Sequence, residues 1–143
     1  MRIFTIGYEA TTMGEFLAAL KAAGVERLID VRALPLSRRP GFSKNILAAS
    51  LRDAGIDYVH LKNLGTPKPG RDAAKKGDVK TLRAVYENQL ALPEAQAEAA
   101  KMRALAEEKP SALLCFERNP EHCHRTLLLR AEAPDAEVID LVP

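Results

Sequence analysis

The sequence has no tryptophan, two cysteines and an aromatic content of only 5%. Two cysteines are too few for a secreted disulfide scaffold, which carries several pairs in a shorter chain. No apolar run approaches the roughly 20 residues that span a bilayer, and the first residues have the pattern of a strand rather than of a signal peptide. These absences predict a cytoplasmic protein with no membrane partner, and they leave its oligomeric state open.

Neither sign of charge dominates, because 21 basic residues stand against 19 acidic ones and the formal net charge is +2. Attraction of nucleic acid by the whole molecule is therefore not expected. The basic residues are nevertheless concentrated in two segments, 32–44 and 62–80, which both have the composition of loops. A phosphate-bearing small molecule or a nucleic acid is the partner that such segments would bind.

Strand-like and helix-like segments alternate along the chain, which contains neither internal repeats nor low-complexity linkers. A length of 143 residues with 47% hydrophobic content suits a single domain over 1–143. The alternation predicts an α/β fold, a three-layer sandwich in which helices cover both faces of a mainly parallel sheet, as in Rossmann-like proteins. Strands are predicted over 2–7, 25–31, 56–61, 111–117 and 137–142; helices from the Thr12 cap to Gly24, from the Ser43 cap to Gly55, over 79–90 and 93–108, and from Pro120 through Leu129; and a long mobile loop over 62–77.

Polar and reactive side chains follow the predicted strands at their carboxyl ends, where ligands bind in open α/β sheets. Because parallel strands present these ends at one edge of the sheet, we expect the side chains to share a pocket. They are Tyr8 after the first strand, Asp30, Arg32, Arg38 and Arg39 at the second, His60 at the third, and Cys115 and Glu117 at the fourth.

The last predicted helix contributes Cys123, His124 and Arg125 near its start. Unpaired backbone N–H groups and the helix dipole favour a thiolate or a bound anion there. Cys123 can therefore act as a nucleophile, with His124 or His122 as its acid–base partner. The alternative is a cysteine that packs under the strand, in the same way that Cys115 can be a small buried hydrophobe.

A second use of the same residues is a metal site. Cys115, Glu117, Cys123 and either His122 or His124 are ligands that zinc accepts. Their spacing matches none of the usual zinc patterns. The sequence therefore predicts no cofactor, with zinc or magnesium as the alternative.

Each candidate residue has a binding or catalytic role and a purely structural alternative. Arg32, Arg38, Arg39 and Arg125 are predicted to hold an anion, because the planar guanidinium grips phosphate or carboxylate groups with two hydrogen bonds. Asp30, Glu117 and His124 are the candidates for proton transfer, whereas Tyr8 and His60 would contact the ligand. The structural alternatives are an Asp30–Arg32 ion pair, an ion pair of Glu117 with an arginine, a solvated loop at 38–39, a backbone hydrogen bond for His60 and a core-edge position for Tyr8.

Four sequence elements resemble one known family in their order and spacing. They are Thr5-Ile6-Gly7-Tyr8; Asp30-Val31-Arg32 with Pro35, Ser37 and Arg38; Tyr58-x-His60 with Leu64-Gly65; and Leu114-Cys115-x-Glu117 with Cys123-His124-Arg125. Together they resemble the family of the domain of unknown function 488. The resemblance implies a bacterial or archaeal α/β domain whose signature positions form one site, and it supplies no reaction.

Three functions follow from these residues, and the sequence leaves open whether the protein is an enzyme. The first is an enzyme, possible hydrolase chemistry included, or a binding protein for a phosphate-bearing ligand such as a nucleotide or a nucleic-acid end. The second is a non-catalytic nucleic-acid-binding module that uses the basic segments 32–44 and 62–80. The third is a thiol or zinc protein that uses Cys115 and Cys123.

Overall fold

A computed structural model describes the backbone of residues 1–143 and every side chain except that of His122. Five strands and six α-helices follow one another along the chain, and two short 3₁₀ turns lie between them, at Lys62–Leu64 and Pro120–His122. The elements are β1 (Arg2–Gly7), α1 (Met13–Ala22), β2 (Arg27–Asp30), α2 (Lys44–Asp53), β3 (Asp57–His60), α3 (Lys68–Lys75), α4 (Val79–Leu90), α5 (Pro93–Glu108), β4 (Ser111–Cys115), α6 (His124–Glu132) and β5 (Glu137–Leu141).

The five strands form one parallel sheet in the order β3-β2-β4-β1-β5. Successive side chains of a strand point to opposite faces, so the sheet contributes side chains to two hydrophobic cores. On one face, Phe4 and Ile6 pack with residues of α1 and α2; on the other, Ile3 and Leu113 pack with residues of α4, α5 and α6. The predicted three-layer α/β sandwich is confirmed. Among the described helices, none is both long and apolar enough to cross a membrane.

Local sequence signals place several helices where the sequence predicted them. Thr12 caps α1 through a complete capping box, in which its hydroxyl accepts from the backbone N–H of Glu15 and the Glu15 carboxylate accepts from the backbone N–H of Thr12. Helices α4 and α5 have the predicted bounds, with Pro93 at the start of α5. These helices are confirmed because their signals lie within one or two turns of the helix itself.

The predicted loop over 62–77 is wrong, since its second half is helix α3. Pro69 lies in the first turn of this helix, where its missing N–H costs nothing, and Gly77 follows the last turn with a φ of 73°. The helix packs so closely on its neighbours that a methyl group on Gly70 would overlap the Thr66 side chain. Tertiary packing on α4 thus holds a lysine-rich segment that sequence composition alone assigns to a loop.

The start of the last helix also differs from the prediction. Asn119 and Pro120 open the 3₁₀ turn, and α6 begins only at His124. Cys123 takes the N-cap position, where its sulfur accepts the backbone N–H of Arg125 at 3.5 Å. The chain after β4 is therefore a tight connection that returns over the carboxyl end of the sheet.

A crevice forms between β1 and β4, because the connections leave the sheet on opposite faces there. The chain from β1 passes to α1 on one face, whereas the chain from β4 passes to α6 on the other. The two loops stay in contact, since the backbone N–H of Glu9 donates to the carbonyl of Phe116 at 2.9 Å. Gly7 is required at this approach, because any side chain would overlap the carbonyl oxygen of Glu117. This is the topological switch point at which open α/β sheets bind ligands.

Candidate functional site

A pocket of about 590 Å³ opens at this switch point. Its wall combines the loops that follow β1, β2 and β4 with one side of α3 and the first residue of α6. Of the sequence candidates, those that line it are Tyr8, Arg32, Arg38, Arg39, Cys115, Glu117 and His124. Those that lie behind the wall are Asp30, His60, Cys123 and Arg125.

Asp30 and Arg32 form a buried ion pair behind and beside the pocket. The guanidinium of Arg32 donates to both carboxylate oxygens of Asp30, at 2.9 and 2.8 Å. Tyr58 adds a 2.5 Å hydrogen bond from its hydroxyl to the same carboxylate. Burial and the adjacent carboxylate raise the pKa of Tyr58, which keeps this phenol protonated as a donor. The structure therefore contains the Asp30–Arg32 ion pair that the sequence offered as the structural alternative to a catalytic Asp30.

The remaining donors of Arg32 hold the aromatic wall of the pocket. Its Nη1 donates to the Tyr8 hydroxyl at 3.2 Å and to the Phe42 carbonyl at 2.7 Å. The ring of Tyr8 stacks on that of Phe42 at 4.7 Å between centroids, and Phe116 meets its edge at 5.3 Å. Burial acts to lower the pKa of Arg32, but the bonds to Asp30 outweigh it and raise that pKa above its ordinary value. Arg32 is therefore a fixed cation that positions Tyr8.

His60 and Arg125 bind main-chain carbonyls rather than the pocket. The His60 Nε2 lies 2.8 Å from the carbonyl oxygen of Arg32. Arg125 is fully buried, and its Nη atoms donate to the carbonyls of Glu117 and Arg118 at 2.8 and 3.3 Å. Burial lowers the pKa of Arg125. Both side chains thus shape the loops around the pocket from behind.

Four cationic side chains of the pocket wall lie free of carboxylate partners. They are Arg38, Arg39, Arg71 and Lys75, and none forms an ion pair among the side chains that the structure describes. Arg39 donates to the Thr11 carbonyl, and Arg71 donates to the Thr66 carbonyl at 2.9 Å. The two carboxylates in the lining belong to Glu9 and Glu117.

The sequence predicts a basic segment here but does not single out Arg71, Lys75 or Thr66. Helix α3 places Arg71 and Lys75 on the wall of the pocket. Proline in a first helical turn followed by alanines was the signal for that helix. Thr66 is one of the lining residues, and its buried hydroxyl has no hydrogen-bond partner in the described structure. A buried hydroxyl without a partner costs free energy.

Glu117 faces the pocket just past the end of β4. Burial raises the pKa of its carboxyl group, while its hydrogen bond to its own backbone N–H and the Arg125 charge oppose the shift. A carboxyl group whose pKa is raised holds its proton more readily than a solvated one and is a candidate for proton transfer. Its side chain is also reachable, since Glu117 is only half-buried.

Cys115, Cys123 and His124 form one buried cluster at the inner end of the pocket. The structure joins the two cysteines by a disulfide, which leaves neither sulfur as a free nucleophile in this state. His124 approaches the carbonyl oxygen of Val31 with Nε2 at 2.7 Å, and burial lowers the pKa of this imidazole to about 4. The ring is therefore neutral at pH 7. The side chain of His122, the other predicted acid–base partner of Cys123, lies outside the part of the chain that the structure describes.

Fold and site together define an α/β protein with a cationic pocket at the topological switch point of a parallel sheet. The family model of the domain of unknown function DUF488 matches residues 12–131, and the chain belongs to this family. The matched range runs from the cap of α1 to the last turn of α6, and it leaves out β1 and β5. Searches of the curated proteins and of the solved structures found no match.

Proposed function

We propose that the protein binds a phosphate-bearing ligand, a nucleotide or a nucleic-acid end, in the pocket at the switch point. The observation that carries this proposal is the set of free cations around the pocket: Arg38, Arg39, Arg71 and Lys75. Arginine binds phosphate oxygens with two hydrogen bonds, each strengthened by charge. The two basic segments, 32–44 and 62–80, both contribute cations to this one pocket. Two independent solvated loops would have no reason to place their cations together.

Apolar side chains at the rim support a ligand with a flat or apolar part as well as a phosphate. Leu34 and Leu36 are 55% and 71% exposed, and Phe116 also lines the pocket. Exposed apolar groups next to cations are what a base or nucleoside would cover, with its phosphate on the arginines.

A catalytic role, as in a hydrolase, would fall to Glu117 in this proposal. Its raised pKa and its place on the pocket wall suit a proton carrier beside a bound phosphate. Asp30 is fully engaged by Arg32 and Tyr58, so its part would be to position Arg32. His124 would keep its bond to Val31 and close the inner end of the pocket.

The test is a comparison of charge-matched variants in a binding titration. Probes are inorganic phosphate, nucleoside mono- and diphosphates, and a 5′-phosphorylated oligonucleotide. We expect Arg38→Ala and Arg71→Ala each to lower the affinity for the tightest-binding probe about tenfold to a hundredfold, because each loses one charge-assisted hydrogen-bond contact. Arg52→Ala is the control, because Arg52 is exposed and lines a separate depression near the start of β3. Binding by both pocket variants as tight as by the parent would refute the proposal.

A non-catalytic nucleic-acid-binding module is the second candidate, and the meeting of segments 32–44 and 62–80 at one pocket favours it. This candidate predicts that the oligonucleotide binds much more tightly than a mononucleotide. Its affinity should also fall steeply with salt, because each neutralised phosphate releases counterions. Equal affinity for a mononucleotide and the oligonucleotide, with little salt dependence, would exclude it.

A further inference from the structure

Two cysteine sulfurs and one imidazole lie close together beside the pocket. Cys115 ends strand β4, Cys123 caps helix α6, and His124 is the first residue of that helix. The potential ligand atoms of all three lie within 4.8 Å of one another, and all three residues are buried. Sulfur and imidazole nitrogen are donors that zinc prefers, whereas magnesium prefers oxygen.

The orientation of His124 leaves one ring nitrogen available to this cluster. Its Nε2 lies 2.7 Å from the Val31 carbonyl, which only accepts hydrogen bonds, so Nε2 carries the proton. Nδ1 is then the basic nitrogen, and it lies 3.8 Å from the sulfur of Cys123. An imidazole fixed by a backbone carbonyl on one side and open on the other is the usual arrangement of a metal-binding histidine.

Both sulfur atoms accept hydrogen bonds from nitrogen donors. The Nη1 of Arg125 lies 3.2 Å from the sulfur of Cys115, and the backbone N–H of Arg125 lies 3.5 Å from that of Cys123. A buried guanidinium and a helix N-terminus stabilise thiolates, whether free or bound to a metal. A disulfide gains much less from such donors, because its sulfurs carry no charge.

The separation of the two backbones leaves room for an ion between the sulfurs. The Cα atoms of Cys115 and Cys123 lie 7.1 Å apart, beyond the range of about 4.4–6.8 Å usual for a disulfide. A zinc ion between two sulfurs, with Zn–S distances of about 2.3 Å, holds its cysteines somewhat further apart than a direct bond does. Reduction would therefore let an ion enter with little movement of β4 or α6.

We propose that Cys115, Cys123 and His124 form a redox-gated zinc site, which binds Zn²⁺ when the cysteines are reduced and is closed when they form the disulfide. A dithiol supplies the two electrons and two protons that convert the disulfide into two thiols, and it becomes a disulfide itself. Zn²⁺ then displaces the two thiol protons. Cys115 and His124 also line the pocket, so a bound ion would lie next to it. The Glu117 carboxylate does not belong to the cluster in the described structure.

The test measures metal binding directly and needs no ligand or activity. Full-length protein is reduced with a dithiol, separated from it without oxygen, and titrated with Co²⁺ and then with Zn²⁺. We expect one equivalent of Co²⁺ with thiolate charge-transfer absorption and tetrahedral d–d bands, and displacement of both signals by Zn²⁺. The oxidised protein should give neither signal.

Single variants identify the ligands. We expect Cys115→Ser, Cys123→Ser and His124→Gln each to weaken Co²⁺ binding by more than the 10–100-fold typical of losing an outer-shell partner. His60→Gln is the matched control, because His60 also binds a backbone carbonyl at a strand end but lies outside the cluster. Circular dichroism spectra confirm that each variant is folded.

A measurement on the parent protein covers the case in which a variant does not fold. Alkylation followed by mass spectrometry counts the reactive thiols of reduced protein with and without Zn²⁺, and zinc should protect both cysteines. Reduced, folded protein without a thiolate–Co²⁺ signal, or equal metal binding by the reduced and oxidised forms, would overturn the proposal. These outcomes do not depend on phosphate binding, so this proposal and the proposed function can fail separately.

Discussion

Removal of the Asp30 carboxylate tests whether its pairing with Arg32 is a structural element of the fold. Asp30 is fully buried, and its oxygens accept hydrogen bonds from the Arg32 guanidinium, the Arg32 backbone N–H and the Tyr58 hydroxyl. Asn at this position has the same shape but only one acceptor oxygen. Its NH₂ group would face the N–H groups of Arg32 or the Tyr58 hydroxyl, which are donors themselves. The cationic side chain of Arg32 would then remain buried without a counter-charge.

The expected cost follows from this geometry. Loss of one partner of a buried ion pair costs about 3–5 kcal/mol, of which the bond from Tyr58 is worth about 1–2 kcal/mol. Asp30→Asn should therefore lower the free energy of unfolding by about 3–5 kcal/mol, a large part of the roughly 5–15 kcal/mol typical of a domain. Tyr58→Phe should cost about 1–2 kcal/mol.

The assay is urea denaturation followed by far-ultraviolet circular dichroism, with Arg32→Met and the double variant completing a cycle. The double variant leaves neither charge without its partner, so its cost should be about 0.5–3 kcal/mol smaller than the sum of the single costs. A loss below about 1 kcal/mol for Asp30→Asn, with additive costs in the double variant, would refute the reasoning.

Three further predictions concern the backbone and one buried ring. Gly7→Ala should destabilise the protein by about 1–3 kcal/mol in urea denaturation, because the new methyl group overlaps the Glu117 carbonyl; Gly14→Ala has free space and serves as control, and an equal result for both would contradict this. Thr12→Ala should lower the free energy of unfolding by about 1 kcal/mol through loss of the α1 cap, and an unchanged urea midpoint would be the contrary result. His124 has its pKa lowered from 6.5 to about 4, so the unfolded chain binds more protons between these values and stability falls by up to about 3 kcal/mol as the pH drops from 6.5 to 4. Urea denaturation of metal-free protein at a series of pH values measures how the free energy of unfolding changes with pH, and His124→Gln should reduce that change. The same pH dependence in His124→Gln would show that His124 is not its source.

Local signals explain why much of the fold was predictable. The capping box at Thr12 and Pro93 at the start of α5 act on backbone groups within one turn of the helix, so they hold in any tertiary context. The alternation of strands and helices similarly predicts a parallel sheet, since parallel neighbours need crossover connections. The sequence does not predict helix α3, because this helix packs against α4 and the composition of 62–77 does not reveal that contact.

The sequence by itself determined the α/β class, most of the helices and the edge of the sheet at which polar side chains gather. These features depend on hydrophobic periodicity and on caps, which are local properties of the chain. Tertiary structure alone decided that Arg32 is bound by Asp30, that Arg71 completes the cationic wall, and that Cys115 meets Cys123 beside His124. The order β3-β2-β4-β1-β5 brings these residues together, and strand order is set by contacts between segments distant in sequence.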